Sequence, residues 1–319
     1  VSRAFTPGAS VSPRMREKVM RVAQELGYRP NVLARSLITG YSRIIGLVVG
    51  YLDNQYYPVA LEKLSRALQA RGYHVLVFMA AQTPTDFENV LEEILDYQVD
   101  GIVMASVAMS SDLTYRCAEA GVPVVLFNRS QDEGSFSAVT SDNQAGGRKL
   151  AEFLIAGGHE RIGYIAGWEG ASTQRDREAG FSGGLAAAGR DLYAREVGNY
   201  DFEKAKAATR RMFGAADRPD AVFVANDHMA IAAMDVMRYE LDLKIPDDVS
   251  VVAYDDVPMA AWPSYDLTTV RQPTNRMVDA VVDALLAGIE DGDTRPRRVA
   301  FAGPLMVRGS ARRPQGYGE

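Results

Sequence analysis

Apolar residues along this chain are arranged in two ways. Short continuous apolar runs at 44–49, 74–79, 101–105, 122–127, 161–166, 221–225 and 249–254 suit parallel strands buried on both faces. Between them lie stretches near 57–71, 85–97, 111–120, 143–157, 173–188, 202–214, 227–241 and 274–289 whose apolar positions recur at helical spacing. Strand–helix alternation on this scale predicts an α/β fold of doubly wound parallel sheets with helices on both faces. The span from 44 to 319 exceeds a typical single domain, so two lobes are expected. In such folds ligands gather at the carboxyl ends of strands and in the cleft between lobes.

The first 43 residues follow a different pattern. Ser12-Pro13 is a helix start, with Ser as cap and Pro where a missing N–H costs nothing. Met15, Val19, Val22, Ala23 and Leu26 then form one apolar stripe, closed by Gly27 with Pro30 beyond. Residues 1–5 read as the tail of a preceding helix, cut off by Thr6-Pro7-Gly8. A helix–turn–helix needs a supporting helix before the recognition helix, so the head is expected to be partly truncated. The run 31–38 is apolar and basic. It is too short for a stable helix in water, but it could order on a surface that supplies contacts. A plain linker is the alternative reading.

Charge divides the chain at the same place. Residues 1–43 hold eight Lys/Arg and two acids, leaving 27 basic and 39 acidic residues in the remainder, a balance of +6 against −12. A cationic head on an anionic body points to nucleic acid as the head's partner, because phosphates reward clustered cations by counterion release. A solvated basic helix would show the same charge, and the two readings stay open on charge alone.

Several strand ends are polar. The first predicted strand runs into Asp53-Asn54-Gln55-Tyr56-Tyr57, another ends at Asn128-Arg129, another at Asn226-Asp227, and 249–254 ends at Asp255-Asp256 with Trp262 a short loop later. Arg177 opens a helical stretch and Tyr200 precedes another. Carboxylates, amides and Arg for hydroxyls, with Tyr and Trp for stacking, suit a sugar. The competing reading is that Asp and Asn after strands cap the next helix. It is favoured for Asp142 and for one of Asn226 and Asp227, and is weaker for Asp255, whose loop carries Pro258 and Pro263.

The ordered series Val1-Ser2-Arg3, Val11-Ser12-x-x-x-Arg16-x-x-Val19 and Leu26-Gly27-Tyr28-x-Pro30-Asn31-x-x-Ala34-Arg35-x-Leu37 resembles the DNA-binding head of the LacI/GalR family of bacterial transcription regulators. The resemblance continues through Gly157-Gly158-His159-x-Arg161-Ile162, Arg177-x-Ala179-Gly180-Phe181, Val224-Ala225-Asn226-Asp227-x-Met229-Ala230, the segment 245–256, and Leu267-Thr268-Thr269-Val270-x-Gln272-Pro273. It implies two Rossmann-like lobes of periplasmic-binding-protein type, joined by crossovers near 141–143, 270–273 and 302–304, behind an all-α helix–turn–helix head. The implied division is head 1–30, hinge helix and linker 31–43, one lobe from 44–141 plus 273–303 and the other from 142–272 plus 304–319. It further implies that Ser2, Arg3, Tyr28, Asn31, Ala34 and Leu37 meet DNA, with Leu37 a wedge in the minor groove. Effector contacts implied by position are Tyr56, Tyr57, Asn128, Arg129, Arg177, Tyr200, Asn226 and Asp255. Asp53 and Trp262 are added on chemistry alone.

Gly180-Phe-Ser-Gly-Gly184 has the letters of a hydrolase nucleophile elbow, but its Ser falls inside a helical stretch instead of following a strand. His74, His159 and His228 are scattered without metal-ligand spacing. Cys117 is the only cysteine, which excludes an intrachain disulfide and fits a reducing cytoplasm. No apolar run reaches membrane length. Expected, then, is a cytoplasmic, homodimeric, non-enzymatic regulator without metal or cofactor, whose operator affinity responds to a sugar-like effector. The alternative is a sugar-binding protein of an uptake system, which would use the same cleft.

Overall fold

The computed structural model describes residues 2–5, 9–28, 40–80, 84–105, 116, 119, 121–131 and 136–315. In chain order the helices are α1 (Ser2–Phe5), α2 (Pro13–Glu25), α3 (Tyr56–Ala70), α4 (Pro84–Asp96), α5 (Asn143–Ala156), α6 (Ser172–Ala187), α7 (Phe202–Phe213), α8 (Asp227–Tyr239) and α9 (Thr274–Glu290). The strands are β1 (Ile44–Val49), β2 (His74–Met79), β3 (Gly101–Ala105), β4 (Val124–Phe127), β5 (Ser137–Ser141), β6 (Ile162–Ala166), β7 (Ala194–Val197), β8 (Ala221–Val224), β9 (Ser250–Asp255), β10 (Thr268–Arg271), β11 (Arg298–Phe301) and β12 (Leu305–Met306).

They form two six-stranded sheets, ordered β11-β5-β4-β3-β1-β2 and β12-β10-β9-β8-β6-β7. Every pairing is parallel except β10 with β12. In the inner strands the apolar runs are continuous because both strand faces are covered; β2 is an edge strand whose Val77 and Met79 are exposed. Ile45, Leu47 and Val49 of β1 join Val103 and Ala105 of β3 in one core cluster, while Val48 joins Ile102 and Met104 in another. Burial of each such side chain is worth about 1.5–3 kcal/mol.

The chain passes between sheets three times: between Ser141 and Asn143, between Arg271 and Thr274, and between Phe301 and Leu305. The second passage delivers α9 to the first sheet. There Gly101 makes room for Leu285 and Ile289, whose terminal methyls lie 2.9 Å from where a Cβ would stand.

The seven predicted runs correspond to β1–β4, β6, β8 and β9. β5, β7, β10, β11 and β12 were not anticipated. β7, β11 and β12 are half-exposed at sheet edges, where one-sided burial needs no apolar run. β5 and β10 carry Ser and Thr at buried positions such as Ser141, Thr268 and Thr269. The helix expected over 111–120 falls largely outside the described residues, and the hinge helix over 31–38 falls wholly outside them. In the head, Ser12 Oγ accepts from Met15 N (3.4 Å) and Pro13 opens α2. Gly27 takes φ +63°, a left-handed turn that glycine adopts without cost.

Helices α5 and α6 approach each other through glycines. A Cβ at Gly147 would collide with the Arg177 carbonyl, and one at Gly180 with the Gln144 carbonyl. Gly180 and Gly184 of the elbow-like motif are therefore packing residues, and its Ser182 lies within α6. Gly180→Ala should cost about 1–3 kcal/mol or more through overpacking against backbone. Gly183→Ala, which meets nothing within 4 Å, should be neutral or stabilise by up to about 1 kcal/mol. Urea unfolding of the two variants checks the contrast; equal stabilities would contradict the tight α5–α6 contact.

Candidate functional site

The carboxyl ends of the strands in both sheets face one cleft. Behind β1, Asn54 Oδ1 accepts from Tyr56 N (3.1 Å) and so opens α3. This turn puts Tyr56 and Tyr57 in the helix's first turn, both buried. Tyr56 stacks parallel to Phe127 with ring centroids 6.2 Å apart, and burial pushes its hydroxyl well above the ordinary tyrosine range. Tyr57 OH accepts from Asn128 Nδ2 (3.2 Å). Asn128 follows β4 at φ +66°, a region Asn tolerates better than most residues. Its neighbour Arg129 reaches across to the second lobe, its guanidinium 5.4 Å from the Trp168 ring centroid.

The second lobe contributes a denser network. Arg177 donates from Nε to Asn143 Oδ1 (2.9 Å), from one terminal nitrogen to the Ala225 carbonyl (2.6 Å) and from the other to Asp255 Oδ1 (3.0 Å). Its guanidinium lies 3.9 Å from the Tyr254 ring centroid. Asp255 also accepts from Gln272 Nε2 (2.8 Å). Burial raises the Asp255 carboxyl, opposed by the Arg177 charge and the Gln272 hydrogen bond. Tyr200 fills the space that the missing side chain of Gly167 leaves, its hydroxyl 3.3 Å from Thr173 Oγ1. Asp256 sits between Arg271 Nε and a terminal nitrogen of Arg308, both at 2.6 Å.

Tyr56, Asp255 and Gln272 share the wall of a cavity of about 590 Å³ between the lobes. In that wall Gln272 Oε1 is buried without a hydrogen-bond partner among the described residues; outside it, just after β4 and β8, so are Asn128 Oδ1, Arg129 Nε and His228 Nε2. Burying such groups unpaired costs about 1–3 kcal/mol each. They mix acceptors with a donor, the complement of a ligand rich in hydroxyls.

Three expected contacts behave differently. Asn226 is the cap of α8, its side chain accepting from Met229 N (3.0 Å). Asp142 likewise caps α5. Trp262 is half-exposed beyond the 3-10 turn Pro258–Ala261 and is not in the cavity wall. Asp53 is exposed, with Oδ2 3.7 Å from His228 Nε2 across the lobes, too far for a hydrogen bond. Sequence reasoning missed Trp168 and Gln272. Trp168 stands one residue beyond the end of β6 after Gly167; Gln272 stood inside a quoted motif and sits on the second crossover.

In the head, Phe5 and Tyr28 rings meet at 5.8 Å and Ala4 and Ala23 are buried, while Met15 and Leu26 of the apolar stripe remain exposed. Asn31, Ala34 and Leu37, and the side chains of Ser2 and Arg3, lie outside the described residues. Among the described residues no helix is long and apolar enough to cross a membrane, and no three His, Cys, Asp or Glu cluster as metal ligands.

Two α/β lobes linked by three crossovers, with a polar cleft between them and a helical head in front, define a sensor of periplasmic-binding-protein type. A family model for the periplasmic binding protein-like domain matches residues 151–311. The HTH-type transcriptional regulator CelR of Thermobifida fusca is 34% identical over 97% of this chain and 93% of its own length. A solved CelR–cellobiose complex superposes with a TM-score of 0.78 at 31% identity, covering 97% of this chain and 94% of that one. The lac repressor dimer bound to operator and the anti-inducer ONPF superposes with a TM-score of 0.87 at 25% identity, covering 97% and 93%. The chain belongs to the LacI/GalR family of bacterial transcription regulators.

Asp227 supplies a test of the cleft's electrostatics. It is fully buried, accepting from Val257 N (2.8 Å) and Thr269 Oγ1 (2.6 Å). Burial, then the Asp255 charge, raises its carboxyl well above the ordinary range. A folded pKa above the unfolded one makes the acid's contribution complete below the unfolded pKa and lost as pH rises through the folded pKa. Asp227→Asn mimics the protonated acid at every pH. The variant should therefore gain on the wild type as pH rises, and the difference should shrink on acidification. Thermal melts across pH check the sign; a variant that loses ground to the wild type as pH rises would contradict it.

Proposed function

We propose that this chain is a non-enzymatic, cytoplasmic, homodimeric repressor whose grip on an operator is set by a sugar or sugar derivative held between its lobes. The carrying observation is the set of buried, unpartnered polar atoms at the strand ends, Asn128 Oδ1, Arg129 Nε and Gln272 Oε1, beside the aromatic faces of Tyr56 and Trp168. Hydroxyls that both donate and accept satisfy such a set, and aromatic faces suit the apolar side of a pyranose. The cellobiose bound by the similar CelR supports the same class of ligand. In this reading Tyr57, Arg177, Tyr200 and Asp255 shape and orient the site, Asn226 contributes through its cap, and Asp53 and Trp262 act only at the rim. The lobes are 44–141 with 273–303 and 142–272 with 304–319. Ser2, Arg3, Tyr28, Asn31, Ala34 and Leu37 face DNA, as two heads read two half-sites.

The route from cleft to head is short. α9 starts at the second crossover, and its 17 residues span about 25 Å. Its last residue, Glu290, accepts from Tyr73 OH (3.1 Å) and pairs with Arg43 (3.5 Å), where the linker from the head enters β1. Asp100 clamps the same entry, accepting from Ser42 N, Ser42 Oγ and Arg43 N at 2.8–2.9 Å. A ligand that shifts the crossover thus moves a rod whose far end touches the linker.

A gel shift of the intact gene product on its operator, with and without a panel of sugars, tests the function; no duplex affinity at low salt under any condition would defeat it. Asp255→Ala should remove sugar binding, read by calorimetry, and retention of normal affinity would take Asp255 out of the site. Asp100→Ala should leave sugar affinity within about twofold but shrink the sugar-induced change in operator affinity from the usual ~5–150-fold range toward unity. An unchanged ratio would exclude the Asp100 clamp from the coupling.

A further inference from the structure

The cavity between the lobes has an unexpected charge. Residues 44–319 carry a balance of −12, yet four cations line this cavity, Lys63, Arg271, Arg276 and Arg308, against two carboxylates, Asp255 and Asp256. Both carboxylates are already engaged. Asp255 is held by Arg177 at 3.0 Å, and Asp256 by Arg271 and Arg308 at 2.6 Å each. Lys63 and Arg276 pair with no carboxylate among the described residues. Lys63 Nζ rests on the neutral Asn275 Oδ1 (2.5 Å), and Arg276 lies over the Phe301 ring at 4.5 Å. Both positions flank the amino end of α9, which no side chain caps and whose first turn holds no acid. Helix dipole and free N–H groups there favour an anion.

Gln272 is an independent observation at the same place. It is 3% exposed and lines the cavity. Its Nε2 is committed to Asp255 Oδ1 (2.8 Å), which fixes the amide orientation and leaves Oε1 buried without a partner. A carboxylate or a doubly ionised phosphate ester cannot donate to that oxygen, but a hydroxyl can. The site asks for both kinds of group on one molecule.

We infer that the cleft takes an anionic carbohydrate, with its carboxylate or phosphate seated at the amino end of α9 between Lys63 and Arg276 and a hydroxyl donated to Gln272 Oε1. The inference rests on the sugar-cleft reading above and narrows it. Charge-assisted hydrogen bonds from two cations and the helix end hold the anion, while the cavity of about 590 Å³ is of the size that binds small ligands. The same two cations discriminate against neutral sugars, which would leave them idle.

The test uses the full chain and matched probes. Glucose is compared with glucuronate and glucose 6-phosphate, and galactose with galacturonate, by calorimetry and thermal shift. Inorganic phosphate is compared with chloride at equal ionic strength. The expected result is that an acidic sugar binds about tenfold or more tighter than its neutral parent, the scale of one charged hydrogen bond. That advantage should fall with added KCl, vanish in Lys63→Met/Arg276→Gln, and return in part when Lys63→Arg replaces Lys63→Met. Phosphate should protect the wild type more than chloride does, and the double variant no more than chloride. Binding of neutral and acidic sugars alike, lost in Asp255→Ala, overturns this inference and leaves the sugar cleft standing. Protection by phosphate without binding of any sugar overturns the carbohydrate. Failure of every sugar, with phosphate no better than chloride, overturns both readings.

Discussion

The buried pair of Arg177 and Asp255 holds the cleft together. The three nitrogens of one guanidinium reach Asn143 beside the first crossover, the carbonyl of Ala225 at the end of β8, and Asp255 at the end of β9. Asp255 passes the constraint on to Gln272 at the second crossover. Such a pair adds little net stability over apolar residues of the same shape, since desolvation offsets its attraction, but removing one partner costs about 3–5 kcal/mol. Its value is geometric. Asp255 and Asp256 take φ +125° and +56°, conformations that cost about 1–3 kcal/mol each for residues other than Gly. They stay there because Arg177, Arg271 and Arg308 hold their carboxylates. Strand β9 thereby turns its last side chains into the cleft instead of continuing the sheet.

Both the legible and illegible parts of this fold trace back to solvent. Strands covered on two faces announce themselves as apolar runs, and β1, β3 and β9 were read that way. β7, β11 and β12 lie at sheet edges, where half of each strand faces water and no apolar run distinguishes them from loop, whereas β2, also at an edge, was legible because its exposed face is apolar. The same limit applies to the cleft. Arg177 and Asp255 were legible because charged residues stood at strand and helix ends with no local use. Asn226 was ambiguous for the opposite reason, as it has a local use as a cap, and the structure assigns that use. Trp168 stood one residue beyond a predicted strand and needed only the rule already applied to its neighbours. Gln272 had no local signal. Its importance comes from lying on a crossover between β10 and α9, a property of the topology that no window of sequence carries.

Charge organises the chain at two scales. Over the whole body the acids dominate, which keeps that surface from competing with the head for phosphate. Along the cleft wall the local balance is reversed, so a negatively charged ligand meets cations there. Asp255 and Asp256 do not spoil this, because each is neutralised by an arginine within hydrogen-bond distance. What remains uncompensated sits at the amino end of α9, the element that leads back to the linker.

That arrangement limits how strongly one ligand can act. Moving a two-state regulator from 1:99 to 99:1 requires about 5.5 kcal/mol of differential binding, whereas coupling between two sites is typically about 1–3 kcal/mol. A single cleft acting through α9 and the Arg43–Glu290 contact, itself half-exposed, falls short of a full switch. Two clefts in a dimer that shares one operator act on the same equilibrium, and their couplings add to about 2–6 kcal/mol. Pairing thus does more than match the two-fold symmetry of a DNA site. It brings the response to a metabolite within reach of all-or-none control while each lobe pair stays loosely enough coupled to release its ligand.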